Sequence, residues 1–136
     1  MFHIVILCGP DGSGKRNVLD SVRKALSTKN FGNAVRVNRN PIHLLSSDDG
    51  VKIGLAKKLT ESDINSLIAD SRGIEVLVCS TRTDKDAWRY CDLIQSAHGE
   101  YVVLLKRKEP QKDRKRIDEL LCRQILACSH AFAMRE

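Results

Sequence analysis

The chain has 136 residues, of which 42% are apolar and 29% are charged, and its net charge is +6. This composition predicts one globular domain over 1–136 and excludes disordered and fibrous proteins. The longest apolar run, Ile4 to Cys8, is far shorter than the roughly 18 residues of a membrane span, and it leads into a glycine loop rather than a cleavage site. Membrane and secreted proteins are therefore excluded as well.

Most of the net positive charge lies in one segment. Residues 106–116 hold seven lysines or arginines and two acids, whereas the other 125 residues carry 16 basic and 15 acidic side chains. Nucleic-acid-binding surfaces usually spread cations over a face and interleave them with aromatic residues, and this segment contains no aromatic residue. The pattern favours a compact anion such as a phosphorylated small molecule, or a basic stretch exposed to water.

The five cysteines predict a reducing, cytoplasmic environment. Their number is odd, no Cys-x-x-Cys occurs, and Cys8 and Cys79 fall in apolar runs typical of buried strands. We expect five free thiols, with Cys8 and Cys79 on neighbouring strands. The four histidines show no ligand spacing to each other or to cysteine, so no metal centre is expected from them.

In chain order, the sequence first predicts a buried strand over 2–8, a glycine loop, and a helix from Lys15 that ends near 29–32. A short second strand is expected over 34–37. Residues 38–50 are rich in loop formers and are expected to be irregular.

The segment 51–59 is ambiguous, and a capping box at Thr60 then predicts a helix that ends at 72–73. A continuous apolar run predicts a strand over 74–79, and a helical period follows over 84–97.

The last elements are a strand over 101–105 and a helix after Pro110, with 130–134 either a short final strand or the end of that helix. Strands that are apolar on both faces and alternate with helices predict an α/β protein. We expect a three-layer, parallel sheet of four to five strands covered by helices, with ligands bound at the carboxyl edge of the strands.

The glycine loop carries the strongest motif. Residues 9–15 read Gly-Pro-Asp-Gly-Ser-Gly-Lys and match the Walker A pattern GxxxxGK between a strand and a helix. In this pattern backbone N–H groups wrap phosphate oxygens, glycines permit close approach and positive φ, and the helix N-terminus adds its dipole. The residues predicted to bind a nucleotide are Gly9, Asp11, Gly12, Ser13, Gly14, Lys15, Arg16 and Asn17.

A second set of residues resembles a known family. The segment 74–82, followed by Asp86, Trp88, Tyr90 and the strand 101–105, resembles the animal-type phosphomevalonate kinases when taken with the glycine loop. More distantly it is similar to the phage deoxynucleoside monophosphate kinases. The resemblance implies a P-loop kinase-like fold, ATP as the cofactor, and phosphoryl transfer to a small phosphorylated acceptor.

The resemblance also implies roles for cationic side chains. Lys15 would hold the outer phosphates of ATP, and Arg82, after the third predicted strand, would bind a phosphate through its planar guanidinium. Arginines of a lid would close on the transferring phosphoryl group. The candidates for that lid, in the basic segment, are Arg107, Arg114 and Arg116, and a solvent-exposed helix start is the alternative for them.

Two positions depart from the family pattern. The residue after the lysine should offer an oxygen to Mg²⁺, but it is Arg16, which has no acceptor atom. The family's aspartate before its Thr-Arg pair is Ser80 here. These departures make Mg²⁺ binding doubtful unless another acidic residue holds the metal. The candidates for that role are Asp11, Asp84 and Asp86.

Two functions are compatible with the sequence. The first is an ATP-dependent small-molecule kinase of the phosphomevalonate or nucleoside monophosphate type. The second is a degenerate P-loop module, in effect a pseudokinase, which binds a nucleotide or a protein partner without catalysis. The intact glycine loop favours the first function, and the altered Mg²⁺ positions favour the second.

Overall fold

The structure is a computed structural model that describes residues 3–26 and 34–134. Its elements in chain order are β1 (His3–Cys8), α1 (Lys15–Ala25), β2 (Val35–Val37), β3 (Asn40–Ser46), β4 (Lys52–Leu55), α2 (Glu61–Ala69), β5 (Val76–Thr81), α3 (Asp84–Ser96), β6 (Tyr101–Leu105) and α4 (Gln111–Met134). Within the described ranges, no helix combines the length and the apolar character needed to cross a membrane.

The strands form one mixed sheet in the order β2-β3-β4-β5-β1-β6. Strands β4, β5, β1 and β6 run parallel, whereas β3 pairs antiparallel with both β2 and β4. The expected α/β class is confirmed. The sheet differs from the expectation in having six strands rather than four to five, and in being mixed rather than parallel.

Helices cover both faces of the sheet. Ile4 and Ile6 of β1 belong to a buried cluster that includes side chains of α2 and α3. Val5 and Leu7, which alternate with them, belong to a second cluster with side chains of α1 and α4. Because successive side chains of a strand point to opposite faces, β1 joins both cores, and the protein has three layers.

The strand β3 lies where the sequence suggested a loop. Its Ile42, Leu44 and Leu45 are buried because β3 pairs with β2 on one side and with β4 on the other. The loop-forming residues supply the hairpin instead, in which Asn38 takes the left-handed conformation with φ 57° between the paired residues Val37 and Asn40. The composition of residues 38–50 therefore predicts the turn correctly but does not predict the strand β3.

The other boundaries follow the predictions with small changes. The ambiguous segment 51–59 contains β4, and α2 ends at Ala69, before the expected 72–73. Residues 130–134 continue α4 rather than forming a strand, and Phe132 is buried with its ring stacked on His3 at a centroid distance of 5.0 Å. The expected end of the first helix, at 29–32, lies outside the described residues.

The prediction for the thiols is confirmed. All five cysteines are free, and Cys8 and Cys79 lie on the neighbouring parallel strands β1 and β5. Burial raises the pKa of Cys79 to about 12, with the neighbouring Cys91 adding to the shift. Cys79 is therefore a packing residue in its neutral form, not a reactive thiol.

Asp63 organises the junction between the β2–β3 hairpin and α2. The capping box predicted at Thr60 is present: the Thr60 hydroxyl accepts from the Asp63 N–H at 3.2 Å, and the Asp63 carboxylate accepts from the Thr60 N–H at 2.8 Å. The same carboxylate accepts from the amide of Asn40 at 2.6 Å and from that of Asn38. Asp63 is fully buried, so each of these bonds replaces one that water would make.

We expect Asp63→Asn to lower the free energy of unfolding by about 2–3 kcal/mol at pH 7, because donors of the hairpin then face an amide instead of a carboxylate. Burial opposes ionisation of Asp63, but the bonds from Thr60, Asn40 and Asn38 outweigh it and lower the carboxyl pKa below its usual value. A carboxyl pKa lowered by folding stabilises the protein above the unfolded pKa and ceases to do so as the pH falls through the folded value.

Urea unfolding of both proteins from pH 7 downward measures this difference. The wild-type advantage should shrink as the pH falls below the ordinary carboxyl range. Asp70→Asn, which changes the exposed aspartate at the other end of the same helix, is the matched control and should change stability by less than about 0.5 kcal/mol. A constant difference at all pH values would contradict the role of the ionised carboxylate.

Candidate functional site

A cleft of about 720 Å³ opens at the carboxyl edge of the parallel strands. The chain leaves β1 for α1 on one face of the sheet and leaves β5 for α3 on the other face, and β1 and β5 are neighbours. Such a divergence of connections leaves a crevice in α/β sheets, and ligands bind there. The volume lies in the range of small-molecule sites.

The glycine loop forms one wall of the cleft. Residues 9–14 connect β1 to α1, and Lys15 is the first residue of the helix, as predicted. Gly12 and Gly14 have φ of 79° and 95°, in the left-handed region where side chains are disfavoured. At Gly9 an added Cβ would lie 2.2 Å from the backbone oxygen of Lys106, so only glycine fits between the loop and the end of β6.

Two buried hydroxyls in the cleft have no hydrogen-bond partner among the described residues. They are the Oγ atom of Ser13 in the glycine loop and the Oγ1 atom of Thr81 at the end of β5, and the two side chains belong to residues only 4% and 5% exposed. Both residues line the cleft. Buried polar atoms are normally paired, so these two are available to a ligand.

Lys15 lines the same cleft. Its ammonium donates to the carbonyl oxygen of Gly9 and, at 2.9 Å, to that of Thr81. Burial lowers the pKa of Lys15, and the nearby Asp11 carboxylate partly offsets this effect. The side chain thus links the start of the glycine loop, after β1, to the end of β5.

The cleft is strongly cationic. Eight lysine or arginine side chains line it against three carboxylates. The cations are Lys15, Arg16, Lys57, Lys58, Arg82, Lys106, Lys108 and Arg114, and the carboxylates are Asp11, Asp86 and Asp118. Almost the whole excess charge of the chain is therefore concentrated around one cavity, which favours a ligand with several negative charges.

Most of the predicted nucleotide-binding residues meet here. Of those eight residues, all but Gly9 line the cleft, and Gly9 lies behind the loop against Lys106. Arg82 reaches across the mouth, with Nη1 3.3 Å from Oδ2 of Asp11. Both side chains are about two-thirds exposed or more, so this ion pair is weak and Arg82 is available to an anion.

The basic segment contributes only part of what was predicted from it. Arg114 lines the cleft and donates to the carbonyl of Glu109 at 3.1 Å. Arg107 and Arg116 are exposed and do not line it, and Arg116 lies 3.7 Å from Asp113. The structure therefore brings Lys15, Arg82 and Arg114 together but leaves Arg107 outside.

Four further cations of the cleft were not predicted as site residues. Lys57 and Lys58 follow β4, whose carboxyl end lies at the same sheet edge, but the ambiguous segment 51–59 gave no means of placing them. Lys106 and Lys108 belong to the basic segment, in which only arginines were expected to act. The arginines were singled out because the resemblance implies a lid whose arginines close on the phosphoryl group, and this choice left the lysines of the same segment aside.

Lys106 is the most buried of these cations. It is only 2% exposed, with its ammonium 2.7 Å from the carbonyl of Arg107 and 3.9 Å from Oδ1 of Asp118. A charged side chain that lies so far from bulk water needs partners of opposite polarity, and these two oxygens provide them. A lysine directly after an apolar strand was the available signal for Lys106.

The residues at the two positions for Mg²⁺ do not fit the metal. Arg16 lines the cleft as a cation, and the Ser80 hydroxyl donates to the carbonyl of Lys57 at 2.8 Å. Asp84 accepts from the Cys8 thiol at 3.5 Å and does not line the cleft. Across the described ranges, no three His, Cys, Asp or Glu side chains are grouped as a metal site. The donor chemistry at these positions favours an anion over a cation.

The lining of the cleft as a whole suits an anion such as a polyphosphate. The glycine loop offers glycines with positive φ, the N-terminus of α1 and the unpartnered hydroxyl of Ser13. Thr81 adds a second such hydroxyl at the end of β5, and cations surround the cavity. Comparison of the chain with protein-family models, with curated protein sequences and with solved structures finds no match.

Proposed function

We propose that this protein is a P-loop kinase-like domain that binds the polyphosphate of a nucleotide, with ATP as the expected ligand. The observation that carries the proposal is the pair of buried, unpartnered hydroxyls, Ser13 and Thr81, in a cleft that the Lys15 side chain also lines. Phosphate oxygens accept hydrogen bonds from hydroxyls, ammonium groups and backbone N–H groups alike. The glycine loop between β1 and α1 supplies the last of these.

The catalytic version of this function is transfer of the γ-phosphoryl group of ATP to an oxygen of a small phosphorylated acceptor. Lys15 would hold the outer phosphates, and Arg82 and Arg114 would neutralise charge on the transferring group and on the acceptor. Lys57 and Lys58, which line the cleft from the end of β4, add positive charge where an acceptor phosphate can lie. Such a reaction needs no covalent intermediate with the protein, because orientation and charge stabilisation suffice.

The non-catalytic version is supported by a different observation. The Ser80 hydroxyl is committed to the Lys57 carbonyl, and Arg16 stands where kinases place an oxygen ligand. A nucleotide held by cations alone would be bound without being activated by a metal. This second function is a P-loop module that retains nucleotide binding and has lost turnover.

Isothermal titration calorimetry with ATP tests the shared part of both versions. We expect Lys15→Ala to weaken ATP binding by roughly 10- to 100-fold, because a charged donor to phosphate is worth about 1.5–3 kcal/mol. Lys24→Ala, which removes the same charge from an exposed position on the same helix, should change the affinity by less than about threefold. Equal affinities for wild type and Lys15→Ala would overturn the proposal.

The two versions separate in an assay of ADP release with phosphomevalonate and with nucleoside monophosphates as acceptors. Acceptor-dependent ADP release that Arg82→Ala abolishes would establish the kinase. ATP binding without such release would establish the non-catalytic module.

A further inference from the structure

The strand β6 ends the sheet and has one unpaired side. It pairs with β1, and no described strand lies beyond it. All five of its residues are apolar or aromatic, with the sequence Tyr-Val-Val-Leu-Leu. Proteins usually protect an edge strand with a charge, a proline or a bulge, and β6 carries no charge or proline between Tyr101 and Leu105.

The hydrogen bonds to β1 determine which backbone groups face outward. The Glu100 carbonyl accepts from the Ile4 N–H at 3.0 Å, and the Lys106 N–H donates to the Cys8 carbonyl at 2.8 Å. Along a strand, every second residue directs its backbone N–H and C=O toward the same neighbouring strand. Because Glu100 and Lys106 bond to β1, the even-numbered residues of β6 direct these groups toward β1. Tyr101, Val103 and Leu105 therefore direct both N–H and C=O away from the sheet.

Apolar side chains extend to this edge. Leu105 is 69% exposed, and Trp88 of α3 is 58% exposed while packing edge-on against Tyr101 at a centroid distance of 6.3 Å. Tyr101, Val103 and Leu105 alternate onto the same face of the strand, beside Trp88. The open backbone edge is thus accompanied by exposed apolar surface, as at strand-pairing interfaces.

We propose that β6 pairs antiparallel with β6 of a second copy of this chain, across a two-fold axis at Val103. In this register Tyr101 lies opposite Leu105 of the other copy, and Val103 lies opposite Val103. All three outward-facing residues then occur in pairs that exchange both of their N–H···O=C bonds. A shift of the axis to Val102 or Leu104 would leave one of the three without a partner in the strand.

The charges at the ends of β6 indicate a second copy rather than an unrelated strand. Exposed Glu100 precedes the strand, and the exposed Arg107 follows it just beyond Lys106. The two-fold axis brings Glu100 of each copy next to the Lys106–Arg107 end of the other, so opposite charges meet at both ends of the pair. The same axis places Leu105 of one copy over Tyr101 and Trp88 of the other. The edge is complementary to itself, as an interface between identical chains must be.

Sedimentation velocity across micromolar concentrations tests the proposal with the full chain. Wild type should approach twice the mass of one 15.3 kDa chain. Val103→Pro removes the outward N–H at the axis, and proline is tolerated where the N–H of an edge strand faces solvent. We expect this variant to keep its circular dichroism spectrum and to dimerise at least tenfold more weakly.

A second pair of variants gives a result even where proline disturbs folding. Leu105→Lys should weaken the dimer at least tenfold, whereas Met134→Lys, at the similarly exposed end of α4, should leave it unchanged. Cross-linking under mild oxidation tests the register. Val103→Cys should form a disulfide between two chains, because the Cα atoms of a hydrogen-bonded antiparallel pair lie within the range that a disulfide spans. Val102→Cys should not cross-link, because it lies opposite Leu104 in this register.

Two results would overturn the proposal. One is a wild-type chain that stays monomeric at every concentration. The other is a dimer that persists unchanged in Val103→Pro and in Leu105→Lys, which would indicate a different interface. Neither result bears on nucleotide binding, because the cleft lies at the carboxyl edge of the sheet rather than along β6.

Discussion

Gly9→Ala is expected to lower the free energy of unfolding by about 3 kcal/mol and to weaken ATP binding at least tenfold. The new Cβ would lie 2.2 Å from the Lys106 carbonyl oxygen, a backbone atom that cannot rotate away. Both sides of this contact are held by the sheet, since the Gly9 N–H donates to Thr81 at 3.1 Å and the Lys106 N–H donates to Cys8 at 2.8 Å. Relief of the clash therefore requires the loop or the end of β6 to move.

Gly50→Ala separates this clash from the general effect of adding a side chain. Gly50 has φ 83° with no atom within 4 Å of the added Cβ, so its cost of about 1 kcal/mol is conformational only. Gly50 lies in a turn away from the cleft lining, so ATP affinity should not change. Urea unfolding and calorimetry on the three proteins make the comparison, and equal stability losses in both variants would contradict the close contact at Gly9.

The parts of the fold that could be predicted are those with a strong local pattern. The apolar runs of β1 and β6, the helical period after Asp84 and the capping box at Thr60 all appear in the structure. The strand β3 could not be predicted, because its burial arises from pairing with β2 and β4 and its own composition is that of turns. Pairing between strands depends on residues far apart in the sequence, so a short stretch of sequence does not reveal it.

The candidate site divides in the same way. Residues 9–15 are contiguous in the sequence, so their spacing alone identifies the loop. Lys57, Lys106 and Asp118 reach the same cleft from β4, β6 and α4, and only the sheet order brings them together. The sequence places most of the net positive charge in the basic segment, but five of the cleft's eight cations come from elsewhere in the chain. Charge counted along a sequence does not show which side chains share a surface.

Nucleotide binding by the unaltered chain is expected to depend weakly on Mg²⁺, with affinities that differ by less than about threefold with and without the metal. Arg16 repels the divalent ion by about 4–7 kcal/mol at an effective dielectric constant of about 20 and separations of roughly 5–8 Å. Ser80 offers only a neutral hydroxyl, and that hydroxyl already donates to the Lys57 carbonyl. The cations of the cleft neutralise the phosphates in the place of a metal.

Arg16→Ser combined with Ser80→Asp should reverse this behaviour, so that ATP binds at least tenfold more tightly with Mg²⁺ than without it. The serine restores a hydroxyl oxygen after Lys15, and the aspartate adds a carboxylate at the end of β5, where both face the cleft. Calorimetry with Mg²⁺ and with a chelator measures the ratio of the two affinities.

The matched control is Arg16→Ser with Ser80→Ala. It loses the same hydrogen bond to Lys57 and the same positive charge but gains no carboxylate, so any destabilisation from Ser80 occurs in both proteins. We expect this control to show an intermediate dependence on Mg²⁺, because repulsion is removed without a second ligand being added. If instead the unaltered chain catalyses vigorous Mg²⁺-dependent phosphoryl transfer, Asp11 or Asp86, which line the cleft, holds the metal. The cations would then serve the acceptor, and the non-catalytic version of the function would be wrong.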